Sequence, residues 1–116
     1  MQYLLLIYSN EADEPKYGTA EMETHMQGYF SFTEGVRNDG KFVAGDPLQP
    51  IATATTVRMR DGQTHTTDGP FAETKEHLGG YYLLDCEDLD EAIAYAAQIP
   101  SAKFGSIEIR PIMVFN

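Results

Sequence analysis

Nine consecutive residues, Asp68-Gly69-Pro70-Phe71-Ala72-Glu73-Thr74-Lys75-Glu76, hold the densest mix of reactive side chains in the sequence. Asp68, Glu73 and Glu76 offer carboxylates, Lys75 an amine and Phe71 an apolar anchor. A carboxylate beside an imidazole tunes its protonation and orients it for proton transfer. The histidine best placed for such work is His25, three residues after Met22 and four before Tyr29, on or beside a helical apolar stripe. His25 and Asp68 are therefore the candidate acid/base pair. Asp46, Phe71, Glu73, Lys75, Glu76 and Tyr81 are the candidate ligand-binding residues. Each also has a plainer reading. His25 can be a core-edge histidine bonded to a carbonyl. Asp68 can cap its own turn, and Asp46 before Pro47 can do the same. Glu73 and Lys75 can pair in solvent, which is worth about 0–1 kcal/mol. Tyr81 and Tyr82 can be core or interface aromatics. A metal site of His25, Asp68 and Glu73 or Glu76 has suitable N/O ligands. No His or Cys recurs at ligand spacing, so no metal is expected. No phosphate-cradling glycine loop or nucleophile elbow is present, so no cofactor is expected either.

These side chains must be held by a scaffold, and the pattern around them describes one. Residues 3–8, Tyr-Leu-Leu-Leu-Ile-Tyr, form a short continuous apolar run that reads as a strand buried on both faces. Residues 9–18 are acidic and hold Pro15 and Gly18, so they read as a loop. From Thr19 to Asn38 the spacing of Met22, Met26, Tyr29, Phe30 and Val36 predicts a helix. Thr19 is its N-cap, with Glu21 and Glu23 in the first turn and Asn38-Asp39-Gly40 as the stop. Gly28 and Gly35 each cost about 1 kcal/mol in such a helix and are more easily kept where something packs close. Lys41 to Gly45 predicts a second strand. Thr55 to Thr67 is a hairpin about the Asp61-Gly62 turn, setting Arg58 opposite His65 and Met59 opposite Thr64. Leu78 to Leu84 is a further strand, in which Gly79-Gly80 marks a bulge or a close backbone approach. Asp88 and Glu91 form a capping box for a second helix with Leu89, Ala92, Ile93, Ala96 and Ala97 on its apolar face, stopped by Pro100. Gly105 to Arg110 alternates as the last strand.

The order strand, helix, strand, hairpin, strand, helix, strand is an α+β fold. It is the ferredoxin-like split βαβ arrangement with an antiparallel sheet, spanning residues 1–116 as one domain. Two helices cover only one face of such a sheet. Leu4–Ile7 and Tyr81–Leu84 are apolar at both alternating positions, so both faces call for cover. A second protomer packed face to face would supply it as a homodimer, and the long hairpin folded over the open face is the alternative.

The stretch Asp68–Glu76 resembles the signature of the DGPF family, a branch of the YCII-related proteins, and the likeness runs over nearly the whole chain. Thr24-His25-Met26 and the later Gly40-Lys41-Phe42-Val43-Ala44-Gly45 are similar to that family's helix histidine and its strand ending in Ala-Gly. The resemblance implies a dimeric α+β barrel, an unknown small-molecule ligand, and a histidine–aspartate pair for lyase-like chemistry in some relatives. That aspartate stands before a proline after the second helix. The matching position here is Ile99, so the pair lacks its acid, and Asp46 or Asp68 is the replacement to test. The resemblance also implies a second function class: a non-catalytic ligand-binding or accessory module, since genes of this family often neighbour those of extracytoplasmic-function sigma factors.

Charge narrows the partners. The 116 residues carry 18 acidic and 8 basic side chains, a net charge of −10. Such a surface repels phosphate backbones, so no nucleic acid is expected. Arg58 and Arg60 are the closest pair of bases. The single cysteine, Cys86, excludes an internal disulfide, reads as a small buried hydrophobe and fits a reducing, cytoplasmic setting. The run Leu4–Ile7 is too short to span a membrane, so no membrane is expected.

Overall fold

The computed structural model describes residues 1–115. In chain order its elements are β1 (Gln2–Ser9), α1 (Ala20–Asn38), β2 (Phe42–Pro47), β3 (Thr55–Arg60), β4 (Gln63–Asp68), β5 (His77–Asp85), α2 (Leu89–Ala96) and β6 (Ser106–Pro111). β2, β5, β1 and β6 form one antiparallel sheet in that spatial order, the ferredoxin-like topology. β3 and β4 stand apart as a two-stranded sheet.

β1 is central because it is apolar throughout, and the pleat divides its side chains. Tyr3, Leu5 and Ile7 point to the helices and are buried, while Leu4, Leu6 and Tyr8 on the other face are half-buried. β5 repeats this, with Tyr82 and Leu84 enclosed and Tyr81 and Leu83 on the open face. Phe32 and Val36 of α1, Ala92 and Ala96 of α2, and Ile99 complete the core. Both helices therefore lie on one face.

Helix ends follow local chemistry. The Thr19 hydroxyl accepts from Met22 N–H at 3.2 Å, and Gly40 closes the C-terminus at φ 74°. Asp88 accepts from Glu91 N–H at 2.8 Å, while the Glu91 carboxylate accepts from Glu87 N–H, one residue earlier than a capping box requires. The apolar stripe of α1 is displaced from the expected one. Phe32 and Val36 enter the core, whereas Met26 and Phe30 stay exposed. In α2 the buried residues are Ala92 and Ala96, and Leu89 and Ile93 remain about half exposed. Eight residues give α2 only two turns, and its small alanines form the side that comes closest to the sheet.

Glycines set the close approaches. A Cβ on Gly28 would lie 3.0 Å from Pro100 Cγ, whereas one on Gly35 meets nothing within 4 Å. The β1–β5 register shifts between Ile7 and Tyr8, where Gly79 is the extra residue, and Gly80 lets the Asp46 carbonyl come close. Both functions expected of Gly79-Gly80 are thus realised.

The hairpin pairs Arg60 with Gln63, Met59 with Thr64 and Arg58 with His65, through Asp61 and Gly62 at φ 52° and 74°. It does not fold over the open sheet face. Every residue from Val57 to Asp68 is exposed, Met59 at 57%. The molecule measures 48 × 47 × 18 Å, with a radius of gyration of 16.1 Å. A compact chain of this length would have roughly 13 Å. Among the described residues no helix is long and apolar enough to cross a membrane.

Candidate functional site

Where α1 passes the β2 edge of the sheet, the short side chains of β2 leave a gap. Gly45 has no side chain to meet the helix, and a Cβ there would lie 2.7 Å from the Tyr82 ring. The result is a cleft of about 530 Å³ floored by Ile7, Gly80 and Tyr82 and walled by α1 and the loop 48–50. A second hollow of about 420 Å³ continues from it under the loop 11–17, sharing Ser9, Glu14, Tyr17 and Met22. Its size suits a small ligand.

His25 lines this cleft from the first half of α1. It is half-buried, with its ring 5.1 Å from that of Tyr29, edge to face, and 5.7 Å from that of Phe104. Burial lowers its pKa from the ordinary 6.5, and the Glu14 carboxylate opposes that by favouring the charged imidazolium. His25 is thus held toward its neutral form, able to accept a proton, with a nearby acid to stabilise the product cation. Glu14 is half-buried and lines both hollows.

Two separate hydroxyl pairs line the same cleft as His25. Tyr29 Oη and Ser101 Oγ are 2.5 Å apart, and Thr33 Oγ1 and Tyr82 Oη are 2.7 Å apart. Burial raises both phenols above their ordinary value. At the far end Arg37 lies over the Phe42 ring, 4.3 Å from its centroid, and lowers the Tyr82 phenol in opposition to burial. The cleft therefore has an imidazole–carboxylate end, an aromatic floor with hydroxyls, and a guanidinium end.

The signature lies elsewhere. None of Asp68, Phe71, Glu73, Lys75 and Glu76 lines either hollow of the same chain. Asp68 ends β4 and is exposed, and Phe71 is 76% exposed. Gly69, at φ 99°, donates its N–H to Ala54 O at 2.7 Å, and its carbonyl accepts from Thr56 Oγ1 at 2.8 Å, which closes the base of the hairpin. Glu76 accepts from Ser106 Oγ at 2.9 Å, tying the end of the signature to β6. Glu73 and Lys75 form no salt bridge among the described residues. Asp46 pairs with Tyr81 in the β2–β5 ladder and accepts its hydroxyl at 2.7 Å, and it also lines the same cleft as His25. Ile99 is 1% exposed in the core, with no carboxylate in its place. Cys86 is buried and its thiol is pushed up by burial. Among the described residues no group of three or more His, Cys, Asp or Glu is placed to hold a metal.

The structure thus gives His25 a different acidic neighbour from those the sequence nominated. Glu14 lies in a loop of acids, Glu11, Asp13 and Glu14, which no local pattern distinguishes. The one available hint was Pro15 directly after it, which holds Glu14 in extended geometry (φ −81°, ψ 150°).

Comparison with known proteins bears on the family and the fold. The family model of the YCII-related domain matches residues 1–116. An uncharacterised protein of Rhizobium meliloti (strain 1021) is 37% identical over 118 residues, covering 100% of this chain and 95% of that one. Among solved structures, the 5-chloro-2-hydroxyhydroquinone dehydrochlorinase TftG of Burkholderia phenoliruptrix AC1100, in complex with 2,5-dihydroxybenzoquinone, superposes with a TM-score of 0.51. The two are 13% identical, and the match covers 97% of this chain and 94% of that one. At that identity the likeness concerns the fold.

Proposed function

The chain belongs to the YCII-related family, and from that premise we propose that it binds a small, partly apolar molecule in the α1–β2 cleft and moves a proton on it through His25. The observation that carries this reading is the imidazole biased toward its neutral form beside Glu14 at the mouth of an aromatic cleft. Glu14 takes the place of the acid missing at Ile99. His25 accepts the proton, Glu14 stabilises the imidazolium, and Arg37 at the other end suits an anionic or enolic oxygen. Reactions of this kind are eliminations and isomerisations next to a carbonyl. Asp68 and the rest of the signature are not needed within the same protomer.

The assembly belongs to the same proposal. Leu4, Leu6, Tyr8, Tyr81 and Leu83 form an apolar sheet face with no helix over it. A second copy packed on that face gives a closed homodimer. Light scattering at micromolar concentration then reads about twice the 12.9 kDa chain mass, and a monomer would remove this part of the reading.

2,5-Dihydroxybenzoquinone, the molecule in the TftG complex, serves as a first probe. The chain has no Trp, so tyrosine fluorescence from Tyr29 and Tyr82 reports on the cleft. Saturable quenching is expected, weakened at least about tenfold in His25→Ala, with Tm held within a few degrees. Equal binding by His25→Ala, or no binding by this probe and a panel of related enols, argues against the site. A non-catalytic binding module remains the reading if the probe binds but its exchangeable ring protons turn over at the same rate with His25→Ala as with the parent protein.

A further inference from the structure

The β3–β4 hairpin is the part of the chain that the cleft and the core leave unused. A two-stranded hairpin alone is marginal in water, yet this one is held out from the body with Val57 and Met59 exposed and Phe71 exposed at its base. Its base is fastened by the bonds at Gly69 and by Arg58 Nη2 donating to Phe71 O at 3.4 Å. The chain leaves for the arm from Leu48, Gln49 and Pro50, and returns at His77, Leu78 and Gly79, all lining residues of the two hollows. The arm is thus rooted in the cleft rim and extends away from it.

Charge indicates what it meets. Arg58 and Arg60 sit on one face of the arm, and neither forms a salt bridge among the described residues. In a chain of net charge −10, two adjacent guanidiniums without a carboxylate are out of keeping with the surface around them. The complementary surface is the acidic approach to the cleft, where Glu14 lines both hollows, Glu11 and Lys16 line the second, Asp13 lies between the two glutamates in sequence, and Glu21 and Glu23 stand in the first turn of α1. Val57 and Met59 lie on the opposite face of β3 from Arg58 and Arg60, so an arm seated in the cleft turns its guanidiniums to the acidic side and its apolar side to exposed Met26, Phe30 and Leu48 at the same mouth.

We infer that the arm of one protomer closes the cleft of a second copy of this chain, laying Arg58 and Arg60 against the Glu11–Glu14 rim and bringing the signature residues to a site they do not reach in their own protomer. The inference rests on the homodimer proposed above. Two-fold symmetry makes the exchange reciprocal, so two arms close two clefts. Each site is incomplete in a lone protomer, and the signature contributes to it in trans.

Isotope-mixed cross-linking tests this. Arg58→Lys keeps the charge and supplies an amine. Natural and ¹⁵N-labelled Arg58→Lys chains are unfolded together, refolded at equal ratio and sized by light scattering. They are then treated with a carbodiimide, which joins amines to carboxylates with no spacer. The expected result is a dimer with links from position 58 to Glu11, Asp13 or Glu14, about half of them between unlike isotopes, as random pairing of two chains requires. Glu11→Gln with Glu14→Gln should lower the yield of those links at least about fivefold. Links confined to like isotopes would mean that the arm reaches its own cleft, and would overturn the inference. So would a dimer with no link to the rim, which leaves the arm free for some other partner. A monomer removes the dimer itself, a separate failure that the light scattering identifies before any link is counted.

Discussion

Leu5 in β1 and Met59 in β3 are both apolar residues in paired antiparallel strands, yet Leu5 is fully enclosed and Met59 is 57% exposed. The ladders are alike, and what differs is the number of layers. β1 has a strand on each side and two helices above one face, so backbone pairing and apolar burial reinforce each other. The arm has its ladder alone. Thr64, Thr66 and Thr67 give β4 strand propensity without a side to bury. Pairing can fix the register of a segment, but burial decides whether that segment contributes to stability by itself.

Several substitutions bear on this contrast, and the largest effect belongs to the body. A Cβ on Gly105 would lie 2.2 Å from Tyr8 O and 3.1 Å from Ser101 O. Gly105→Ala should therefore cost about 3 kcal/mol or more by overpacking, a fall in Tm of roughly 10 °C, read by thermal unfolding. If the variant melts like the parent, the body is less rigid than its packing implies. Leu84→Ala, at a fully enclosed position, should cost about 3 kcal/mol at any protein concentration. Met59→Ala should cost under about 0.5 kcal/mol in dilute protein, with the cost growing as concentration favours arm docking. A large, concentration-independent loss for Met59→Ala would mean that the arm packs within its own chain.

Within α1 the comparison repeats on a smaller scale. Gly35 faces open space, so Gly35→Ala should raise stability by about 1 kcal/mol in denaturant titration. Gly28→Ala should gain nothing, because Pro100 stands 3.0 Å away. Equal gains at both sites would show that α1 does not press on Pro100.

The smallest effect is one of pH. Burial holds His25 below its ordinary 6.5, so just under that value the unfolded chain binds more protons than the folded one. This residue's contribution makes stability fall as pH drops below about 6.5 and through the lowered pKa. His25→Gln should flatten that slope in urea titrations at a series of pH values. An unchanged slope would place the imidazole in a fully solvated setting.

Much of this was legible in the chain because its causes are local. Thr19, Asp88 and Asp61-Gly62 act on residues two or three positions away, and each behaves in the structure as its chemistry requires, but for the one-residue offset of Glu91. The count of two helices implied a sheet with one helix-covered face, and the apolar character of Leu4–Ile7 at both parities marks the other face as one that calls for cover. What the sequence did not disclose depends on distant packing. Phe30 and Phe32 are equivalent as helix formers, and only the position of the sheet decides that Phe32 is buried. Glu14 reaches the cleft because the loop 11–17 folds back over α1, a placement that no spacing within the loop encodes. The signature drew attention by composition, yet one of its bonds, from Thr56 Oγ1 of β3 to Gly69 O, ties the base of the arm, and another, from Thr74 Oγ1 to Glu76 O, is internal to it.

The extra residue at Gly79 has a consequence for the lengths that β5 tolerates. A bulge sets two residues against one, so the chain beyond it rejoins its partner strand without exchanging faces. With Gly79 taken up in the bulge, Leu78 stands opposite Tyr8 and His77 opposite buried Ser9. Deleting that single residue would keep both pairs and leave a regular strand. Deleting Gly80 as well would leave nothing to absorb the change, and Leu78 would come opposite Ile7 and His77 opposite Tyr8, each on the other face. A six-nucleotide deletion here should therefore do more damage than one of three.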